Sequence, residues 1–206
     1  MSFDAPELNA HPARTRRRGD APDIKPINDP AKAEVLWREN CASCHGVDGK
    51  GDGPAAQYLA PAPINLTQRE YRSELVADIL WNGVYGSSMP AWRDHSLENL
   101  AALVTWVNGL SELDSDLQTA SAAQLRGGEV VYRNNCTECH GTSGEGDGFA
   151  VINLPIPIPP TNFTQERLSL AESLRVLQNG VAGTSMAPWG DRLTEADMVA
   201  VSHYLR

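Results

Sequence analysis

The sequence predicts an all-α protein made of two tandem domains. Three observations carry this. The pentapeptide Cys41-Ala42-Ser43-Cys44-His45 returns 95 positions on as Cys136-Thr137-Glu138-Cys139-His140, and the two copies use all four cysteines of the 206-residue chain. From residue 31 onward the surroundings of the two copies also align, so the duplicated piece is a whole unit. Within each unit apolar residues recur at helical spacing, and no strand pattern of any length appears.

The first 30 residues hold Pro6, Pro12, Pro22, Pro26 and Pro30 with few large apolar groups, too little to fold alone, and read as an extended or disordered N-terminal arm. Five basic and five acidic residues cancel there, so the formal charge of −9 sits on residues 31–206. The cluster Arg14-Thr15-Arg16-Arg17-Arg18 suits a solvated tail, or docking on an acidic partner or lipid headgroups. The first domain then spans 31–117 and the second 118–206, divided within the Ser-, Ala- and Asp-rich segment 111–124. At about 90 residues each, the halves have limited core of their own.

Each unit opens on a short helix that runs into the cysteines: Glu34-Val35-Leu36-Trp37-Arg38 lies over Glu129-Val130-Val131-Tyr132-Arg133 at the shift of 95, with an aromatic four residues before the first cysteine. The C-x-x-C-H pentapeptide reads as a covalent c-type haem site. Its two thiols add across the porphyrin vinyl groups, and the adjacent histidine ligates iron. Zinc would need both pairs brought together over a long range, and a thioredoxin-like pair expects a βαβ context. A bound haem would also give each small half an apolar plate to pack around.

Glycine turns follow, Gly49-Lys50-Gly51-Asp52-Gly53 and Gly144-Glu145-Gly146-Asp147-Gly148. They allow close approach to a flat ligand, and their aspartates lack EF-hand spacing. Next, Pro63-Ile64-Asn65-Leu66-Thr67 matches Pro160-Thr161-Asn162-Phe163-Thr164 at a shift of 97, the second half having gained two residues in the extended loop Leu154-Pro155-Ile156-Pro157-Ile158-Pro159-Pro160. That loop suits covering a haem edge. Middle helices are expected around Glu74 to Asn82 and Leu170 to Asn179, the second opening on a capping box at Ser169-Leu170-Ala171-Glu172. Both close on Asn-Gly. Terminal helices carry Leu97, Leu100, Val104 and Val107, and Met198, Val201 and Leu205.

Between these helices, Gly83-Val84-Tyr85-Gly86-Ser87-Ser88-Met89-Pro90-Ala91-Trp92 matches Gly180-Val181-Ala182-Gly183-Thr184-Ser185-Met186-Ala187-Pro188-Trp189. Met89 and Met186 stand in register in small-residue loops and are the candidate sixth ligands. His95 and His203 do not correspond under the repeat, His11 belongs to the arm, and Met198 is expected to pack. One loop has proline directly after methionine and the other one residue later, so the two need not be identical.

The ordered set of aromatic-bearing helix, C-x-x-C-H, glycine turn, proline loop, middle helix, methionine loop and terminal helix resembles the class I cytochromes c, twice over, as in diheme cytochromes c. The resemblance implies two c-type haems held by Cys41, Cys44, Cys136 and Cys139, with axial pairs His45/Met89 and His140/Met186. It implies a loop proline carbonyl on each ligand imidazole, with Pro63 and Pro160 the candidates beside Pro61 and Pro159. It further implies one-electron transfer between respiratory partners, as a shuttle or as the cytochrome subunit of a membrane-associated complex, rather than catalysis. The alternative is a diheme oxidoreductase such as a peroxidase, or a redox or gas sensor, with one openable iron. The acidic surface disfavours nucleic acid and suits a basic protein partner. No apolar run of 18 residues marks a membrane span. Haem attachment of this kind implies a periplasmic or otherwise extracytoplasmic site, and since Met1-Ser2-Phe3-Asp4 opens no secretory signal, any leader or anchor is expected to have been removed.

Overall fold

The computed structural model describes residues 20–113 and 120–206. The arginine cluster and the expected boundary near residue 117 lie outside the described residues. Residues 20–29 are without helix, and their apolar members are not idle. Ile24 is buried in the first core, Ile27 packs against it, and the Ile27 N–H donates to the Ala101 carbonyl at 3.3 Å.

In the first half, α1 (Pro30–Asn40) starts with proline in its first turn and an Asp29 side chain accepting from the Lys32 N–H. A single turn, α2 (Ala42–His45), follows, then α3 (Ser73–Asn82) and α4 (Leu97–Gly109). The second half repeats this as α5 (Ala122–Asn135), α6 (Thr137–His140), α7 (Leu170–Asn179) and α8 (Glu195–Tyr204). First and last helices of each half pack together. In the second half they come so close at Gly128 that a Cβ there would lie 2.1 Å from the Ala200 carbonyl oxygen.

Each half has its own core. Trp37, Val76, Leu80, Leu100, Leu103 and Val104 build the first. Val131, Tyr132, Leu177, Met198 and Val201 build the smaller second. Met198 packs there as expected.

Two expectations are corrected. A short antiparallel sheet exists where no strand was read: β1 (Arg69–Tyr71) pairs with β2 (Glu166–Leu168), with Arg69 opposite Leu168, Glu70 opposite Arg167 and Tyr71 opposite Glu166. Three residues per strand are too few for an alternation to register, and the partner is 97 positions away. The capping box at Ser169 forms only by half. The Ser169 side chain accepts from the Glu172 N–H at 3.0 Å, but the Glu172 carboxylate is taken by Arg69 and Arg175 instead of returning to the cap.

The contacts around the sheet are related by an approximate two-fold. Arg72 N–H donates to the Gln165 carbonyl at 2.8 Å, and its equivalent Ser169 N–H donates to the Gln68 carbonyl at 2.9 Å. Gly86 lies against Ile158, and its equivalent Gly183 lies against Pro61, the position matching Ile158.

Candidate haem-binding sites

The two C-x-x-C-H segments fold alike because each first cysteine ends a helix and starts a new turn. The Cys41 carbonyl accepts from the Cys44 and His45 N–H groups at 3.1 and 2.9 Å, and the Cys136 carbonyl from those of Cys139 and His140 at 3.3 and 2.9 Å. The turn stops at Gly46 and Gly141, with φ of 77° and 78°. The positive φ requires glycine, and a Cβ at either would come within 2.1 Å or 1.9 Å of Asp52 or Asp147 Oδ1 and force that side chain aside. These aspartates therefore belong to the turn, and no cluster of His, Cys, Asp and Glu suited to a metal ion occurs among the described residues.

The aromatic before each motif has a definite task. Trp37 Nε1 donates to the carbonyls of Gly46 and Val47, both at 3.1 Å. Tyr132 Oη donates to the Gly141 carbonyl at 2.7 Å. Both tie the turn after the histidine back onto the first helix. Burial, then the neighbouring cysteine, pushes the thiols of Cys41 and Cys136 up to about 11.

Burial also lowers the pKa of both His45 and His140 and keeps the imidazoles neutral, the form that ligates metal. His140 Nδ1 lies 3.2 Å from the Thr161 carbonyl. A carbonyl only accepts, so Nδ1 carries the proton and the lone pair is on Nε2. This corrects the assignment of that role to Pro160. The Pro160 carbonyl stands against Gly146, where a Cβ would be 2.6 Å from it, and the next carbonyl along the extended chain reaches the ring. Pro63 occupies the same place against Gly51, at 2.4 Å, and His45 Nδ1 is buried without a partner. Phe163 stacks on His140 with centroids 4.8 Å apart.

The methionine loops agree bond for bond. Val84 N–H donates to the Met89 carbonyl at 3.1 Å, Ser87 Oγ to the Val84 carbonyl at 2.9 Å, and Met89 N–H to Ser87 Oγ at 3.1 Å. Val181, Thr184 and Met186 make the same three bonds at 2.9, 2.8 and 3.1 Å. The shifted proline leaves this pattern intact. Met89 packs on the core that contains Cys41 and Trp37, and Met186 on the core that Cys136 and Phe163 also join. His95 turns instead onto Trp92, at 5.5 Å between rings. The proline loop of the second half is clipped to the methionine loop through Ser185 Oγ, which donates to the Ile156 carbonyl at 3.2 Å and accepts from its N–H at 3.4 Å.

The donor set fits haem: paired thiols on one turn, a buried imidazole, whose Nδ1 is already engaged in the second half, and a thioether in the same core. Fold and donor set together define a protein of two tandem cytochrome c domains. The family described as cytochrome c oxidase, cbb3-type, subunit III matches residues 28–107 and again 123–205, and the chain belongs to it. Similar proteins include the cbb3-type cytochrome c oxidase subunit CcoP of Azospirillum brasilense, 27% identical over 189 residues, and that of Azospirillum sp. (strain B510), 28% identical over 196 residues. Each alignment covers 85% of this chain, and the chain spans only 60% of the length of either relative. A chain of the reducing HAO-like protein complex of Kuenenia stuttgartiensis is 23% identical, with 91% of this chain and 98% of that chain covered and a TM-score of 0.41, too loose a likeness for further comparison. Membership in this cytochrome c family implies covalently bound haem c. No helix among the described residues is long and apolar enough to cross a membrane.

One junction went unread in the sequence. Arg69, Glu166, Glu172 and Arg175 form a charged cluster between the halves, with the side chains of Arg69, Glu166 and Glu172 only 6%, 10% and 5% exposed. Its trace was present: at the shift of 97, Arg69-Glu70 lies over Glu166-Arg167, opposite charges at equivalent positions.

Proposed function

We propose that the chain carries two c-type haems and transfers single electrons as the cytochrome c subunit of a membrane-associated respiratory complex. Cys41 and Cys44 would hold one haem and Cys136 and Cys139 the other, with His45 and Met89, and His140 and Met186, as the iron ligands and one haem in each of the domains 31–117 and 118–206. The carrying observation is that the full ligand set recurs in register on loops with the same hydrogen bonds.

Haem iron, when bound, supplies a reversible one-electron couple. The chain's own residues decide how it is used. Thr161 fixes the tautomer and orientation of His140. A thioether is a soft ligand that favours the ferrous state and raises the potential relative to two imidazoles. Were a histidine and a methionine side chain both to hold each iron, substrate would have no route to the metal, and the chain would act as a carrier and not itself as a catalyst. The CcoP and FixP relatives, each named as a subunit of a cbb3-type oxidase, favour a subunit over a free shuttle. Redox proteins would be its partners, on the periplasmic or otherwise extracytoplasmic side.

The test is haem content and the ferric spectrum of the purified protein. Two haems per chain, both low-spin with a methionine-to-iron charge-transfer band, are expected. Met89→Ala should remove about half of that band and leave the second haem unchanged. High-spin iron at one site of the unmodified protein, or rapid peroxide turnover, would overturn the carrier in favour of a diheme oxidoreductase.

A further inference from the structure

The junction between the halves is built on an approximate two-fold, yet its charges break that symmetry. Arg69 and Glu166 occupy equivalent positions and pair with each other across the axis. Glu70 and Arg167 are likewise equivalents, directly opposed in the sheet and ion-paired. Pairing two first halves in this register would oppose Glu70 with Glu70 and bring Arg69 toward Arg69, and pairing two second halves would repeat the conflict. The junction therefore accepts only one first half with one second half.

Arg69 is its centre. One guanidinium nitrogen bonds Glu166 and the other bonds Glu172 Oε1 at 2.9 Å, while Arg175 holds Glu172 through bonds of 2.7 Å to Oε2 and 2.9 Å to the same Oε1. Leu75 stands where Glu172 would be in the first half, so the cluster has no counterpart across the axis. Arg69 sits in β1, next to the backbone bonds that tie Arg72 to Gln165 and Ser169 to Gln68. The same arrangement sets the methionine loop of each half on the proline loop of the other: a Cβ at Gly86 would be 3.0 Å from Ile158 Cγ1, and one at Gly183 would be 2.8 Å from Pro61 N. Both candidate sixth-ligand loops thus face the junction that Arg69 closes.

We propose that Arg69 is the positioning residue of the two-haem unit: by bridging Glu166 and Glu172 it holds each methionine loop against the opposite half and so sets the rate of electron passage between the two haems. This rests on the assignment of one haem to each half. No bond forms or breaks in the step; one electron leaves a ferrous centre and reduces the ferric one.

The experiment compares the haem-loaded full chain with R69E and with the charge swap R69E/E166R. Small-angle scattering reads the docking of the halves, and haem-methyl exchange NMR of the half-reduced protein reads intramolecular transfer. Losing one partner of a buried ion pair shifts an equilibrium by roughly 100-fold or more, and R69E adds a third carboxylate, so the halves should part and exchange should slow about tenfold or more. Each haem's absorption and midpoint potential should stay as in the parent, and the swap should restore docking and much of the rate. Unaltered scattering in R69E would overturn the latch, and opened halves with unaltered exchange would overturn its role in transfer. Should R69E fail to take up haem, R69Q, which removes the bridge without adding charge, is read in the same way. A parent protein with fewer than two haems would overturn the functional reading instead, and the scattering result would still decide the latch.

Discussion

Trp37 and Tyr132 show one requirement met by two chemistries. An indole N–H and a phenol O–H, at equivalent places on the first helices, donate to the carbonyl of the glycine that follows each histidine. Both side chains are 2% exposed, so the carbonyl has no water to replace a lost donor. Tyr132→Phe should therefore lower stability by about 1–2 kcal/mol, the cost of stranding a buried acceptor, and thermal unfolding would show it. An unchanged midpoint would mean that the Gly141 carbonyl finds another partner. The aromatic was visible in the sequence at a fixed distance from the cysteines, but its donor role was not, because the acceptor is a backbone atom. The same holds for His140: the loop that supplies its partner was identified, and the carbonyl was misplaced by one residue, from Thr161 to Pro160, since spacing does not say which way a carbonyl points.

At the scale of elements, helix packing separates two adjacent glycines of α5. A Cβ on Gly128 would collide with the Ala200 carbonyl of α8, whereas one on Gly127 would only reach the Ala200 Cβ at 4.0 Å. Alanine favours a helix over glycine by about 1 kcal/mol, so Gly127→Ala should stabilise by up to that amount. Gly128→Ala should instead destabilise by about 1–3 kcal/mol, because overpacking outweighs propensity. Chemical denaturation of the two variants decides the matter, and equal shifts would refute the close crossing. Helices themselves were legible: both middle helices end on the expected glycines, which cap them at φ of 69° and 67°. The half-formed capping box at Ser169 was legible only in part: Arg175, one residue that diverts Glu172, is three positions away, but the other, Arg69, is 103 positions away.

For the whole molecule, the Glu172 carboxyl links acidity to the docking of the halves. Burial pushes its pKa up, but the hydrogen bonds and charges of Arg175 and Arg69 outweigh burial and hold it below the usual carboxylate range. A carboxylate held low in the folded state contributes stability above its unfolded value of about 4.3 and loses it as pH falls through the lower folded value. Thermal unfolding followed from pH 7 downward should therefore fall more steeply in the parent than in Glu172→Gln. Parallel profiles would show that the cluster adds nothing to stability.

The sequence by itself determined the duplicated unit, the helices of each half, the thiol and imidazole donors and the methionines in register, since all of these are local patterns repeated at a nearly constant shift. Only the tertiary structure decided which carbonyl meets His140, which strand captures Glu172, and that two three-residue strands join the halves across the axis. Those choices depend on residues about 20 to 100 positions apart meeting in space, and short-range periodicity carries no record of such meetings. The one trace they left in the chain is the exchange of charge between Arg69-Glu70 and Glu166-Arg167, which acquires its meaning only once the two segments lie side by side.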